Sequence, residues 1–157
     1  MTMDSRRLSE DLMLAIASNS IAIFGEILSH PEIDVNTGDS RGHQPLITAC
    51  AYGRLDMAQA LVQRGADVSY RMPMTKTTAL HVASSNGFAD IVELLLAHGA
   101  DGNARDFSGS SPLDYAEVPP VTLIESEASR IRSDAADERL NEMRRYCLDA
   151  LGRRNYL

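Results

Sequence analysis

The sequence predicts an all-α solenoid of stacked helix pairs with projecting hairpin-like loops. Three observations predict it. Thr78 to Asn103 reads as a short helix ending at Gly87 and then a strongly apolar helix ending at Gly99. Asp39 to Val68 repeats the landmarks of that stretch 34 residues earlier: Pro45-Leu46 for Ala79-Leu80, Ala49 for Ala83, Gly53 for Gly87 and Gly65-Ala66-Asp67 for Gly99-Ala100-Asp101. A half-copy follows 33 residues later, at Ser111 to Ala116. Self-similarity at such a period marks a repeat architecture, in which one unit cannot bury its apolar face alone and copies must stack.

Composition supports one modest domain. The chain has 157 residues, 44% of them hydrophobic, with 5% aromatics and no tryptophan. Thin layers of Ala, Leu, Ile and Val suit it better than one large aromatic core. There is no apolar run of membrane-spanning length. Met1 to Arg7 is polar and has no apolar leader, so a cytoplasmic location is expected, with the nucleus as the other option. The net charge of -7 argues against binding nucleic acid or anionic membrane. Cys50 and Cys147 form no C-x-x-C pair and read as free, buried thiols.

Taken in order, Leu12 to Ala17 and Ile21 to Leu28 form a first, degenerate copy, with Asn19-Ser20 in place of the glycine. It reads as an N-terminal capping unit over 1–36. The second copy spans 37–70 and the third 71–104. Pro45 and Pro112 fit the first helical turn, where a missing N–H costs nothing. Thr78 and Ser111 can cap the helices that follow them. Ala49, Ala51 and Ala83 let neighbouring helices approach, and Leu61, Val62, Ile91, Leu94 and Leu95 give the second helices their apolar stripe. The fourth copy, 105–132, departs from the pattern at Pro119-Pro120. Beyond it, apolar residues at helical spacing (Leu123, Ile131, Leu140, Cys147 and Leu151 among them) predict one long helix, or two joined near Ser133-Asp134. Residues 133–157 are expected to cap the open end of the stack, or else to dock on a partner.

These landmarks in register resemble the ankyrin repeat, over roughly Asp11 to Ala116. The resemblance implies curved stacks of helix pairs that bind proteins through finger tips and the concave face of the first helices, and that are rarely enzymes. Carried over, the expected surface comprises Ser40, Arg41, His43, Ala51 and Tyr52 in the second copy. In the third it comprises Met74, Thr75, Thr77, Ser85 and Asn86, and in the fourth Phe107, Ser108 and Ser110. The third finger departs from the pattern, with Pro73 for the usual aspartate and Lys76 for the usual glycine, so it is expected to be longer and irregular. Tyr70, Met72 and Met74 stand out there as expected exposed anchors, because Tyr favours hot spots and Met adapts to irregular partners. The alternative is that these methionines only pack. His81 takes the family's Thr-Pro-Leu-His position and is expected to bridge loops, with Asp114 in its place in the last copy.

No catalytic constellation is visible. There is no phosphate-binding glycine loop and no nucleophile elbow, and the four histidines form no metal-ligand spacing. No cofactor or metal is expected. The expected function is a non-enzymatic protein-interaction module: an adaptor, an assembly factor or a subunit of a hetero-complex, monomeric on its own. Alternatives are masking of a kinase or other enzyme, a structural spacer, and an enzyme with an unrecognised site.

Overall fold

The computed structural model describes residues 4–117 and 145–152. Seven helices run in chain order: α1 Ser5–Ala17, α2 Ile21–Leu28, α3 Pro45–Tyr52, α4 Leu55–Gln63, α5 Ala79–Ser85, α6 Ala89–Ala97 and α7 Pro112–Glu117. Residues 145–152 are also helical, and no strand occurs among the described residues. The odd-numbered helices pack in sequence, α1 on α3, α3 on α5 and α5 on α7. They form an inner layer. In the outer layer α4 packs on α6, and within copies α1 packs on α2, α3 on α4 and α5 on α6.

The helix ends follow from local chemistry. Pro45 opens α3 and Pro112 opens α7. The Thr78 hydroxyl caps α5 by accepting from the His81 N–H. Gly53 ends α3 at φ 67°, in the left-handed region. Asn19 does the same after α1 at φ 57°, so an asparagine fills the glycine's place in the degenerate first copy.

The core repeats with the sequence. Leu12, Leu46 and Leu80 are buried at equivalent positions, as are Ala15, Ala49 and Ala83. Leu61, Ile91 and Leu95 are buried from the outer layer, with Val62 and Leu94 packed against them. Ala51, expected both as a close-packing residue and as part of the surface, is exposed and lines the inner surface, leaving Ala49 as the close-packing residue of α3. Cys50 and Cys147 are free and buried, and burial pushes their thiols up to about 12 and about 11. The acidic neighbours Asp90 and Glu93 add to the rise at Cys147, which places the 145–152 helix beside α6. Cys147 and Leu151, one turn apart, join the core there. The expected helix over Leu123 to Leu140, and the joint near Ser133-Asp134, lie outside the described residues.

Candidate protein-binding face

The fingers are built by aspartates that fold their own loops. In the second copy Asp39 Oδ1 accepts from the N–H groups of Arg41 and His43 at 2.8 and 2.9 Å, and Oδ2 contacts His43 Nδ1 at 3.1 Å. In the fourth, Asp106 Oδ1 accepts from the N–H groups of Ser108 and Ser110, each at 2.9 Å. Each loop closes by the aspartate's own N–H, onto His43 O at 2.9 Å and Ser110 O at 3.1 Å. Pro73 occupies this position in the third finger and has no N–H to give. Closure therefore moves back one residue: the Met72 N–H donates to Thr77 O at 2.9 Å, and the Lys76 N–H to Met72 O at 2.8 Å. Lys76 still adopts φ 60°, the conformation that Gly42 and Gly109 take at φ 85° and 80°. The third finger is wider by one residue yet keeps its left-handed turn.

Both carboxylates are held below the usual aspartate range. Partial burial works against this at Asp106, but hydrogen bonds from Tyr115, Ser108 and Ser110 outweigh it and hold its pKa at about 2. Asp39 is lowered too, partial burial again being overcome by bonds from His43 and Arg41.

Neighbouring fingers are tied together. The Thr78 N–H and hydroxyl meet His81 Nδ1 at 3.2 and 2.8 Å, and His81 Nε2 donates to Ser110 O at 2.9 Å, reaching the next copy. Burial lowers the pKa of His81, which suits a neutral ring with one acceptor and one donor nitrogen. The His81 and Tyr115 rings meet in a T-shaped arrangement with centroids 5.2 Å apart, and Tyr115 donates to Asp106 Oδ2 at 2.7 Å. Asp114 stands where this histidine stood. Its carboxylate accepts from the Ser111 N–H and hydroxyl at 2.7 and 2.8 Å, which caps α7. Those bonds hold its pKa down. A carboxylate has no donor, so Asp114 cannot repeat the bond by which His81 Nε2 reaches the next loop.

Most of the expected site residues fall into three groups. Met74, Thr75 and Phe107 lie at the tips of the third and fourth fingers. Met74 is 76% exposed and Phe107 69%. The Phe107 N–H donates to Thr75 O at 2.9 Å, and Lys76 Nζ lies 5.7 Å from the Phe107 ring centroid. Ser40, Arg41 and Ser108 are exposed on their own fingers.

The second group, Tyr70, Met72, Thr77 and Asn86, is engaged within the fold. Tyr70 and Met72 were expected to be exposed; both are half-buried and pack against the core. The Tyr70 hydroxyl donates to Gly42 O at 2.9 Å. The cause is the wide third finger, which lays this segment across the second. Thr77 is half-buried with its carbonyl closing the loop, and the Asn86 amide donates to Val82 O at 2.9 Å.

The third group lies on the inner surface. His43, Ala51 and Tyr52 line a groove of about 520 Å³ between α1 and α3. Its other wall is Glu10, Met13, Leu14 and Ala17 of α1, and Asp39, Ile47 and Thr48 complete it. Leu14 is 67% exposed and Tyr52 52% exposed. The α1 wall was absent from the expected surface. The signal for it was present, since Leu14 lies 34 residues before Thr48, on the inner face of the next copy. Among the described residues no three His, Cys, Asp or Glu side chains group to hold a metal, and no helix is long and apolar enough to cross a membrane.

Two family models match the chain, both described as ankyrin repeats, over residues 10–72 and 73–116. Among similar proteins, human "SMC5-SMC6 complex localization factor protein 1" is 37% identical over 109 residues, covering 68% of this chain and 10% of that protein. "Zygote-specific protein 3" of Chlamydomonas reinhardtii is 40% identical over 103 residues, 66% of this chain and 27% of that protein. Mouse "Ankyrin repeat and SOCS box protein 6" is 43% identical over 79 residues, 50% of this chain and 19% of that protein. The chain thus spans about a quarter or less of the length of these relatives.

Proposed function

The chain belongs to the ankyrin repeat family, and from that premise we propose that it is a non-enzymatic protein-binding module, acting as an adaptor, assembly factor or subunit of a larger complex. One observation carries this reading. The groove between α1 and α3 presents Met13, Leu14, Ile47, Ala51 and Tyr52 on a hydrogen-bonded frame, with Glu10, Asp39 and His43 at its polar edge. An apolar floor with a few polar groups is the composition of a recognition surface. The frame is preorganised by Asp39 and by finger-to-finger bonds, so little ordering entropy is lost on binding. Met74 and Phe107 at the finger tips supply a second set of contacts to the same partner, a protein in the cytoplasm or nucleus. The names of two relatives fit this role: one is a localization factor for a complex, the other carries a SOCS box beside its ankyrin repeats.

The test is affinity purification with cross-linking and mass spectrometry, comparing wild type with Leu14→Asp, Tyr52→Ser. A protein cross-linked to the groove in wild type and lost from the variant supports the reading. The same set of proteins from both forms would show that the groove is not the recognition surface.

A further inference from the structure

The three outer helices carry equivalent positions in register, so each serves as a control for the others. Leu55, on α4, lines a groove with Asp90 and Ile91 of α6, which shows which flank of one outer helix faces the next. Ile91 lies 34 residues after Met57, and Met57 34 after Ile23. Met57 and Ile91 are buried, whereas Ile23 is 52% exposed, and Ile21 is 68% exposed. The solvent-facing positions differ as well. They are Asp56 and Gln59 on α4 and Asp90 and Glu93 on α6, but Ala22 and Gly25 on α2. Helix α2 is therefore apolar nearly all round, which is the pattern of a covered helix, yet Phe24 is its one buried residue. A Cβ at Gly25 would meet nothing within 4 Å.

At the other end of the stack the chain supplies its own cover. Val92 and Leu96 of α6 are buried, and the 145–152 helix lies beside α6 with Cys147 and Leu151 inward and Arg145 exposed. Among the described residues nothing equivalent lies on α2.

We propose that the outer surface of α2 is a docking site for an amphipathic helix of a partner protein that carries lysine or arginine beside its apolar stripe. Ile23 and the half-buried Ile27, one turn apart on one flank, supply the apolar contact. Ala22 and Gly25 let the helix axes approach, as small residues do at close crossings. Charge selects the occupant. Glu26 is the one charged side chain of α2, is exposed, and forms none of the ion pairs among the described residues. Glu32 is exposed beyond the helix and His30 is half-buried. On neighbouring α1, whose Ser5 hydroxyl bonds Glu32 O, Arg6 pairs with Glu10 and Arg7 is exposed. A second copy pairing through α2 brings no base to Glu26, because α2 has none. Anionic membrane is disfavoured by the same carboxylates. This surface is separate from the groove between α1 and α3.

The test uses the full chain and two fluorescent synthetic helices of about 15 residues, long enough to hold a helix. Both carry the same leucine and alanine stripe, one flanked by lysine and the other by glutamate. Fluorescence anisotropy should show binding of the lysine probe, weakened roughly tenfold or more by Ile23→Ser. Glu26→Lys should reverse the preference between the probes. Leu14→Ser, Tyr52→Ser in the groove should leave lysine-probe binding unchanged, and melting of the α2 variants should match wild type. The proposal is overturned by any of the following: no binding, equal binding of both probes, loss on the groove substitutions, or a fall of several degrees in the α2 variants' melting. It is also overturned if Ile23→Ser abolishes a wild-type dimer or adsorption to phosphatidylserine vesicles, since the occupant would then be a second copy or a bilayer.

Discussion

The hydroxyl of Tyr70 donates a hydrogen bond of 2.9 Å to the carbonyl of Gly42, tying the third finger to the second. The same contact takes Tyr70 out of the set of free anchors. Tyr70→Phe should lower stability by about 1 kcal/mol, the usual net worth of such a bond. Met72→Ser should cost more, because Met72 packs against the core. Met74→Ser, at a mostly exposed position, should leave melting unchanged while weakening the partner. Thermal denaturation beside a binding titration separates the three. Equal melting for all of them would place Tyr70 and Met72 back among the exposed residues.

Gly42 itself makes a sharper prediction. A Cβ there would sit 2.5 Å from Pro73 Cδ, on a backbone at φ +85°. At Gly65, φ is +90° but nothing lies within 4 Å. Gly65→Ala should therefore cost only the left-handed strain, about 1 kcal/mol. Gly42→Ala should cost that and a ring clash, so its midpoint in urea should fall further. Equal midpoints would mean that the second and third fingers do not pack as described.

Acid should act in two steps. Burial depresses the folded pKa of His81, so the unfolded chain takes up that proton more readily. Its contribution is present above about pH 6.5, the ordinary imidazole value, and is lost as pH falls. Asp39, Asp106 and Asp114 are also depressed. Their contribution is present above about pH 4 and is lost on going lower, towards a pKa of about 2 at Asp106. Melting temperature from pH 8 to pH 2.5 should thus fall first as pH drops below about 6.5 and again below about pH 4. His81→Gln should be less stable overall and lack the first step. A first step that survived this substitution would assign it to another group.

Leu151 tests the closing helix. It is buried beside α6 at 1% exposure, so Leu151→Ala should cost about 2–4 kcal/mol. The substitution should also increase the reactivity of Cys147, one turn away in the same contact, towards a thiol reagent. Unchanged melting and unchanged reactivity would show that the 145–152 helix contributes little to the stack.

The period, the helix pairs and most helix ends were legible in the sequence, because each is set by residues close together in the chain. Pro45 and Pro112 start helices, Thr78 and Ser111 cap them, and Gly53 ends one, whatever lies around them. The family was legible for the same reason, since its landmarks recur in register. What covers each side chain was not. Tyr70 and Met74 look alike as candidates, and only the packing of one finger across the next buries the first and frees the second. The register places Leu14 on the inner face with Thr48, but only α1 and α3 set side by side make it the wall of a groove. Ile23, Met57 and Ile91 have one helical register and two fates, because exposure depends on having a neighbour in the stack. Helix formation is local, whereas a binding face is what remains uncovered after all the copies have packed.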